Sequence, residues 1–161
     1  MKEIKSFLKS FVYAFKGLVY MVPHERNFRF HLTILGFMTY FLVRFDYFVL
    51  TRAEVAILVI ASALVLSGEM INTAIEKASD AVTCEHNNSV KIAKDTAAGA
   101  VLVFAVASVI VGIIILWQPE AFKSLYIHYT TNPIGFVLLI VAVIISAIFI
   151  FKFDFNKKEK K

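Results

Sequence analysis

Apolar positions change rhythm several times along this chain. Residues 3–22 place Ile4, Phe7, Leu8, Phe11, Phe15, Leu18 and Val22 at spacings of three and four, with Lys2, Lys5, Lys9 and Lys16 elsewhere. That pattern predicts an amphipathic helix lying on a membrane surface. It has neither the continuous apolar core nor the small-residue cleavage site of a signal peptide, so the N-terminus is expected to stay in the mature protein. Pro23, in "PHERNFRFH", is expected to break or redirect the helix. Apolar runs then cover about residues 28–43, 55–75, 97–117 and 134–151. Between them lie "RFDYFVLTRAE", the polar connection "EKASDAVTCEHNNSVKIAKD" and "QPEAFKSLYIHYTTNP", and a basic tail "NKKEKK" ends the chain. The second run has roughly the 20 residues needed to cross hydrocarbon. The pattern predicts an all-α integral membrane protein. A surface helix and three spans make a core over residues 1–117, and residues 118–161 add an extension with a fourth span.

Composition agrees with this reading. Of 161 residues, 59% are hydrophobic and 16 are Phe, and the mean hydropathy is +0.74, far above an ordinary soluble domain. The single cysteine, Cys84, cannot form an intramolecular disulfide, and no Cys/His cluster points to zinc or iron. A net charge of +5 could mark a nucleic-acid binder, but here the basic residues flank apolar runs. They fit an anionic inner-leaflet surface better, and no nucleic-acid partner is expected. If the runs are spans, 14 Lys and Arg fall on one side and only Arg44, Arg52 and Lys123 on the other. The positive-inside rule then places both termini and the "EKASD...AKD" loop in the cytoplasm, on the side where ATP is found.

The second run ends in "SGEMINTAIEKASD", which carries Glu69, Asn72, Glu76 and Asp80. At about 100° per residue these four share a sector about 80° wide, so they form one stripe. Glu69 and Glu76 are two turns, about 10.5 Å, apart, and the stripe descends from bilayer depth toward the surface. A carboxylate at membrane depth is costly unless it is paired, protonated or bound to a cation. Hydrogen-bonded helix packing accounts for an isolated Asn72, but not for three acids on the same face. An oxygen-rich face with two carboxylates suits Mg²⁺, a hard cation that takes one or two protein carboxylates plus phosphate oxygens and water. Phosphoryl transfer needs those parts and a group to accept or position the attacking hydroxyl. Glu69 lies at the depth of a lipid headgroup hydroxyl, and Glu76 nearer the surface where a nucleotide arrives.

Two more segments extend the constellation. "KIAKDTAAGA" puts Lys94 and Asp95 at the predicted start of the third span. There Lys94 can meet phosphate as a point charge, and Asp95 can hold a nucleotide or cap the helix. "HERNF" puts Glu25 between surface helix and first span, at the depth of Glu76. His31 stands near the same face, able to touch a headgroup or to serve as an interfacial hydrogen-bonding residue. The chain contains neither a GxxxxGK[ST] nor a GxGxxG phosphate loop, so any ATP site must be built from helices.

Over about residues 5–117 the chain resembles the small bacterial integral-membrane lipid kinases, the prokaryotic diacylglycerol kinase and undecaprenol kinase family. The resemblance rests on "ERNFRFHL", "RAEVAILVIASALVLSGEMINTAIEKASD" and "KIAKDTAAGAVL". It implies a homotrimer in which each protomer has a surface helix and three spans, and which uses Mg-ATP to phosphorylate a lipid alcohol. It implies Glu69 as catalytic base and Glu25 and Glu76 as Mg²⁺ ligands. It also implies a nucleotide site drawn from Tyr13, Glu25, Asn72, Glu76, Asp80, Glu85, Lys94 and Asp95, formed between neighbouring protomers. The chain departs from the family in the loop, where "CEHNNS" replaces the usual Tyr-His or Pro-x-His element around His86 and Asn87. No basic residue clearly matches one near the start of the surface helix. "ERNFRFHL" and "DTAAGAVL" are closer to the undecaprenol kinase branch than to the diacylglycerol branch. Two readings compete with a kinase. A proton-coupled transporter would use Glu69 but leave Glu25, Glu76, Lys94 and Asp95 without a joint purpose, and an inactive membrane subunit would leave the whole stripe unexplained.

Overall fold

The computed structural model describes residues 2–82 and 87–152. They form six helices: α1 Lys2–His24, α2 Arg26–Arg44, α3 Arg52–Val82, α4 Asn88–Leu116, α5 Pro119–Thr131 and α6 Pro133–Lys152. Among the described residues there is no strand.

Pro23 does redirect the chain, but only after the helix has used it. α1 runs through Pro23 to His24, and the amide of Glu25 still donates to Met21 O at 2.9 Å. Glu25 then takes an extended conformation, φ −114° and ψ 110°, as the N-cap of α2. This single residue is the elbow between the two helices. Upstream of it, α1 leaves Ile4, Phe7, Leu8, Phe11 and Phe15 exposed on the isolated chain, a surface that needs an apolar environment.

Three helices, α3, α4 and α6, are long and apolar enough to cross a membrane. The sequence predicts four such segments. α2 falls outside the group because its 19 residues include Arg26, Arg29, His31 and Arg44; it packs instead between α3 and α6. The connection expected over residues 76–95 is also shorter than predicted. α3 continues to Val82 and α4 begins at Asn88, since "EKASDAV" has good helix formers and no breaker. With 31 residues, α3 is about 46 Å long and outruns a hydrocarbon layer of about 30 Å. Its last turns therefore carry Glu76, Lys77 and Asp80 beyond the apolar zone. A further helix, α5, occupies what reads as a loop, started by Pro119 at its first position, where proline's missing N–H costs nothing.

α3 and α4 form an antiparallel hairpin, the most extensive helix pair among the described residues. Val65, Ala97 and Val101 are buried in this hairpin, and the Ser108 hydroxyl donates across it to Ala61 O at 3.1 Å. Gly68 allows the close approach: a Cβ there would lie 2.9 Å from Phe104 Cδ2 and 3.6 Å from Val101 Cγ2. At one end of the bundle, Phe45 stacks with Phe41 and Tyr47 and meets His128 and Tyr129 edge-on, while the Gln118 side chain bonds both backbone groups of Val49. The start of α2, the ends of α1, α3 and α6, and the start of α4 meet at the other end.

Candidate active site

The second end of the bundle gathers the carboxylates. Glu69 is 4% exposed on α3, one residue from Gly68, where α4 comes closest. His31, two turns into α2, meets it with Nε2 3.5 Å from Glu69 Oε1. That is an electrostatic approach rather than a short hydrogen bond. One turn further along α3, Asn72 Nδ2 donates to Glu76 Oε1 at 2.9 Å. Its other terminus, Asn72 Oδ1, is buried with no hydrogen-bond partner among the described residues.

Glu25 arrives from the elbow. An acidic residue at an N-cap ordinarily spends its carboxylate on the first amides of the helix, but Glu25 makes no side-chain cap bond. Its carboxyl faces α3 instead, where burial and the Glu76 carboxylate push it above the ordinary carboxylate range, with a smaller push from Glu69. Thr73, buried beside it, and Lys77 offset part of that shift. The Thr73 hydroxyl makes no well-formed hydrogen bond, so it moderates the Glu25 charge without holding it. Glu25 on the elbow thus sits within the field of both Glu76 and Glu69 on α3.

The remaining predicted residues divide. Lys94 Nζ makes a direct ion pair with Asp80 Oδ1 across the α3–α4 hairpin; both groups face solvent, so the pair contributes little to stability. Asp95, about 100° further round α4, is exposed and does not start the helix. Asn87 is the N-cap there, its Oδ1 accepting from Ser89 N at 2.9 Å, because α4 begins two turns earlier than the hydropathy pattern places it. Tyr13 is exposed on α1, 12 residues before the elbow and about 18 Å along the helix axis. Glu85 and His86 lie outside the described residues.

Two residues of the site escaped the sequence reading. Thr73 continues the stripe at about +40° from Glu69 and was legible by the same wheel. Arg29 is 4% exposed and grips backbone carbonyls; an arginine flanked by Phe28 and Phe30 was the available sign.

Among the described residues no group of three or more His, Cys, Asp or Glu is arranged to hold a metal ion unaided. The oxygen set that is present, two mutually repelling carboxylates and an unpartnered amide oxygen, fits a hard cation that completes its shell with phosphate and water.

The chain was compared with known proteins. The profile of the family described as prokaryotic diacylglycerol kinase matches residues 12–116. An undecaprenol kinase of Bacillus subtilis is 40% identical over 119 residues, covering 70% of this chain and 89% of that protein. A diacylglycerol kinase of Synechocystis is 42% identical over 113 residues, covering 70% of this chain and 63% of that protein. No solved structure matches the chain. The matched stretch contains every carboxylate of the site and ends where α4 ends; α5 and α6 lie beyond it.

Proposed function

The chain belongs to the prokaryotic diacylglycerol kinase family and is a lipid kinase, and from that premise we propose that it transfers the ATP γ-phosphate to the hydroxyl of undecaprenol. The observation that carries the reading is the convergence of Glu25, Glu69 and Glu76 at one end of the bundle. A transporter leaves two of those three acids idle. Undecaprenol is preferred over diacylglycerol because the likeness to the undecaprenol kinase extends over nearly all of that protein, whereas it reaches less than two thirds of the diacylglycerol kinase.

In this mechanism the lipid hydroxyl approaches Glu69 from the apolar side, and Glu69 accepts its proton as transfer proceeds. His31, 3.5 Å away, flanks that buried carboxylate on the α2 side. Glu25 and Glu76 would hold Mg²⁺, with Asn72 orienting Glu76 through its 2.9 Å bond. When bound, the ion supplies charge neutralisation on the phosphates. Lys94, steered by Asp80, offers a cation to the same phosphates, and Tyr13, Glu85 and Asp95 complete the nucleotide contacts. Tyr13 and Asp95 stand on exposed surfaces, which fits a nucleotide site closed by a neighbouring protomer of a homotrimer. α1 lies on the cytoplasmic surface with its exposed phenylalanines in lipid, both termini are cytoplasmic, and the site faces ATP.

The test offers purified protein in detergent micelles Mg-ATP with undecaprenol and diacylglycerol side by side. Phosphorylated undecaprenol should dominate. A reversed preference would reassign the substrate to diacylglycerol, and phosphorylation of neither alcohol would overturn the reading.

A further inference from the structure

Arg29 lies outside the chemistry just described, yet it is among the most deeply buried charged residues in the described chain, 4% exposed. A buried guanidinium needs acceptors for its fork of donors. Nη1 donates to Val22 O at 3.0 Å and to Pro23 O at 3.3 Å, and Nη2 donates to Ile150 O at 3.0 Å. The identity of these acceptors matters. Val22 and Pro23 are in the last turn of α1, which ends at His24, and Ile150 lies near the end of the described part of α6. Terminal-turn carbonyls have no partner within their own helix and carry the negative end of its dipole. One cation therefore caps the C-terminus of α1 and ties it to the backbone of α6, where Ile150 is buried.

The elbow lies two residues after Pro23. Glu25 follows α1 directly, and its carbonyl accepts from Arg29 N at 3.2 Å. Arg29 thus holds the backbone on both sides of the residue whose carboxyl faces Glu76. The third grip comes from α6, which lies outside the region shared with the family and carries no ionisable side chain from 134 to 151.

We propose that Arg29 is a positioning residue for the phosphoryl-transfer site, and that α6 acts on that site through it, by anchoring the elbow that presents Glu25. The proposal rests on the reading of Glu25 as a metal ligand. It makes the C-terminal extension a working part of the enzyme rather than a membrane anchor. Lysine cannot replace the residue, because a point ammonium lacks the planar fork that reaches two helices in different directions.

The test uses full-length protein with Arg29→Lys, Arg29→Met, Phe151→Pro and the double variant Arg29→Met/Phe151→Pro. Phe151 is exposed, and proline there disfavours the helical conformation of Ile150 and displaces its carbonyl without touching the site. Steady-state rates are measured against Mg²⁺ and against lipid alcohol. Arg29→Met should raise the Mg²⁺ needed for half-maximal rate about tenfold while the KM for lipid moves less than about twofold. Arg29→Lys should recover little of that loss. Phe151→Pro should move the Mg²⁺ requirement about threefold the same way, and the double variant should be no worse than Arg29→Met alone, as a shared interaction requires. A Phe151→Pro enzyme with the wild-type Mg²⁺ requirement overturns the proposal, as does a double variant whose effects multiply. It also fails if the KM for lipid rises in step.

Hydrogen exchange read over the end of α6 needs no activity. Loss of protection there in Arg29→Met supports the clamp, and unchanged protection overturns it even if the wild-type protein phosphorylates neither alcohol. Should Arg29→Met fail to fold, Phe151→Pro decides by itself.

Discussion

α3 and α6 are both long and apolar enough to cross a membrane, yet they put that apolar length to different uses. α6 is apolar from Ile134 to Phe151 and buries only Ile150 among its residues. α3 buries Leu58, Val65, Gly68, Glu69 and Thr73, so its inward face changes from hydrocarbon to oxygen two thirds of the way along. The contrast shows that hydropathy locates a span without saying what the span does. In α3 the work is done by side chains that break the apolar pattern. In α6 it is done by a main-chain carbonyl that no side-chain pattern records.

The contrast can be broken or sharpened by substitution. The largest effect is expected from Glu69→Gln, which keeps the shape and removes the base. The rate of lipid phosphorylation should fall by about 10² to 10⁴, the span of a general base's contribution, and wild-type turnover would exclude Glu69 from that role. Glu76→Gln should raise the Mg²⁺ concentration for half-maximal rate by about tenfold or more, read from a Mg²⁺ titration. An unchanged requirement would remove Glu76 from the metal site.

Gly68→Val tests the packing that brings α4 beside Glu69. With the first carbon already only 2.9 Å from Phe104, the larger side chain must push the hairpin apart. A cost of about 1–3 kcal/mol should appear as a lower Tm in detergent, and Phe104→Ala should relieve part of it.

Glu25 offers a smaller effect in the opposite direction. Its carboxyl is raised in the folded protein by burial and by Glu76, so the protonated form is the one that folding favours. Stability from this group is present at acid pH and is lost as pH rises through the raised value. Glu25→Gln should therefore raise Tm by about 1–2 °C at pH 7, the effect being screened by partial exposure. At pH 4 the two proteins should melt together, and a variant destabilised at pH 7 would contradict the assigned shift. The smallest effect belongs to α6: Ile145→Leu, on its exposed apolar surface, should change neither rate nor stability beyond about 0.5 kcal/mol.

Much of the fold was legible before any coordinates. The amphipathic rhythm of α1, the apolar runs of α3, α4 and α6, and the stripe of acids on α3 follow from spacing alone, since one helix's geometry relates its own residues. The sequence reading erred where context decides. α2 is less apolar than the other expected spans, and its Arg29 and His31 are turned toward partners on other helices. The sequence reading turned the ends of α3 and α4 into loop, although polar helix continues freely outside the hydrocarbon. Asp95 was a plausible cap until α4 was seen to begin at Asn87.

The sequence by itself determined the family, the apolar runs long enough to cross a membrane and the shared face of Glu69, Asn72, Glu76 and Asp80, because all of these depend on residues close in the chain. Only tertiary structure decided that Glu25 leaves its helix uncapped to face Glu76, that His31 meets Glu69, and that Arg29 joins α1 to α6. Each of these contacts joins different helices, and the last spans 121 residues of chain. Its acceptor is a backbone oxygen, which every residue possesses, so no side-chain pattern marks it as a partner.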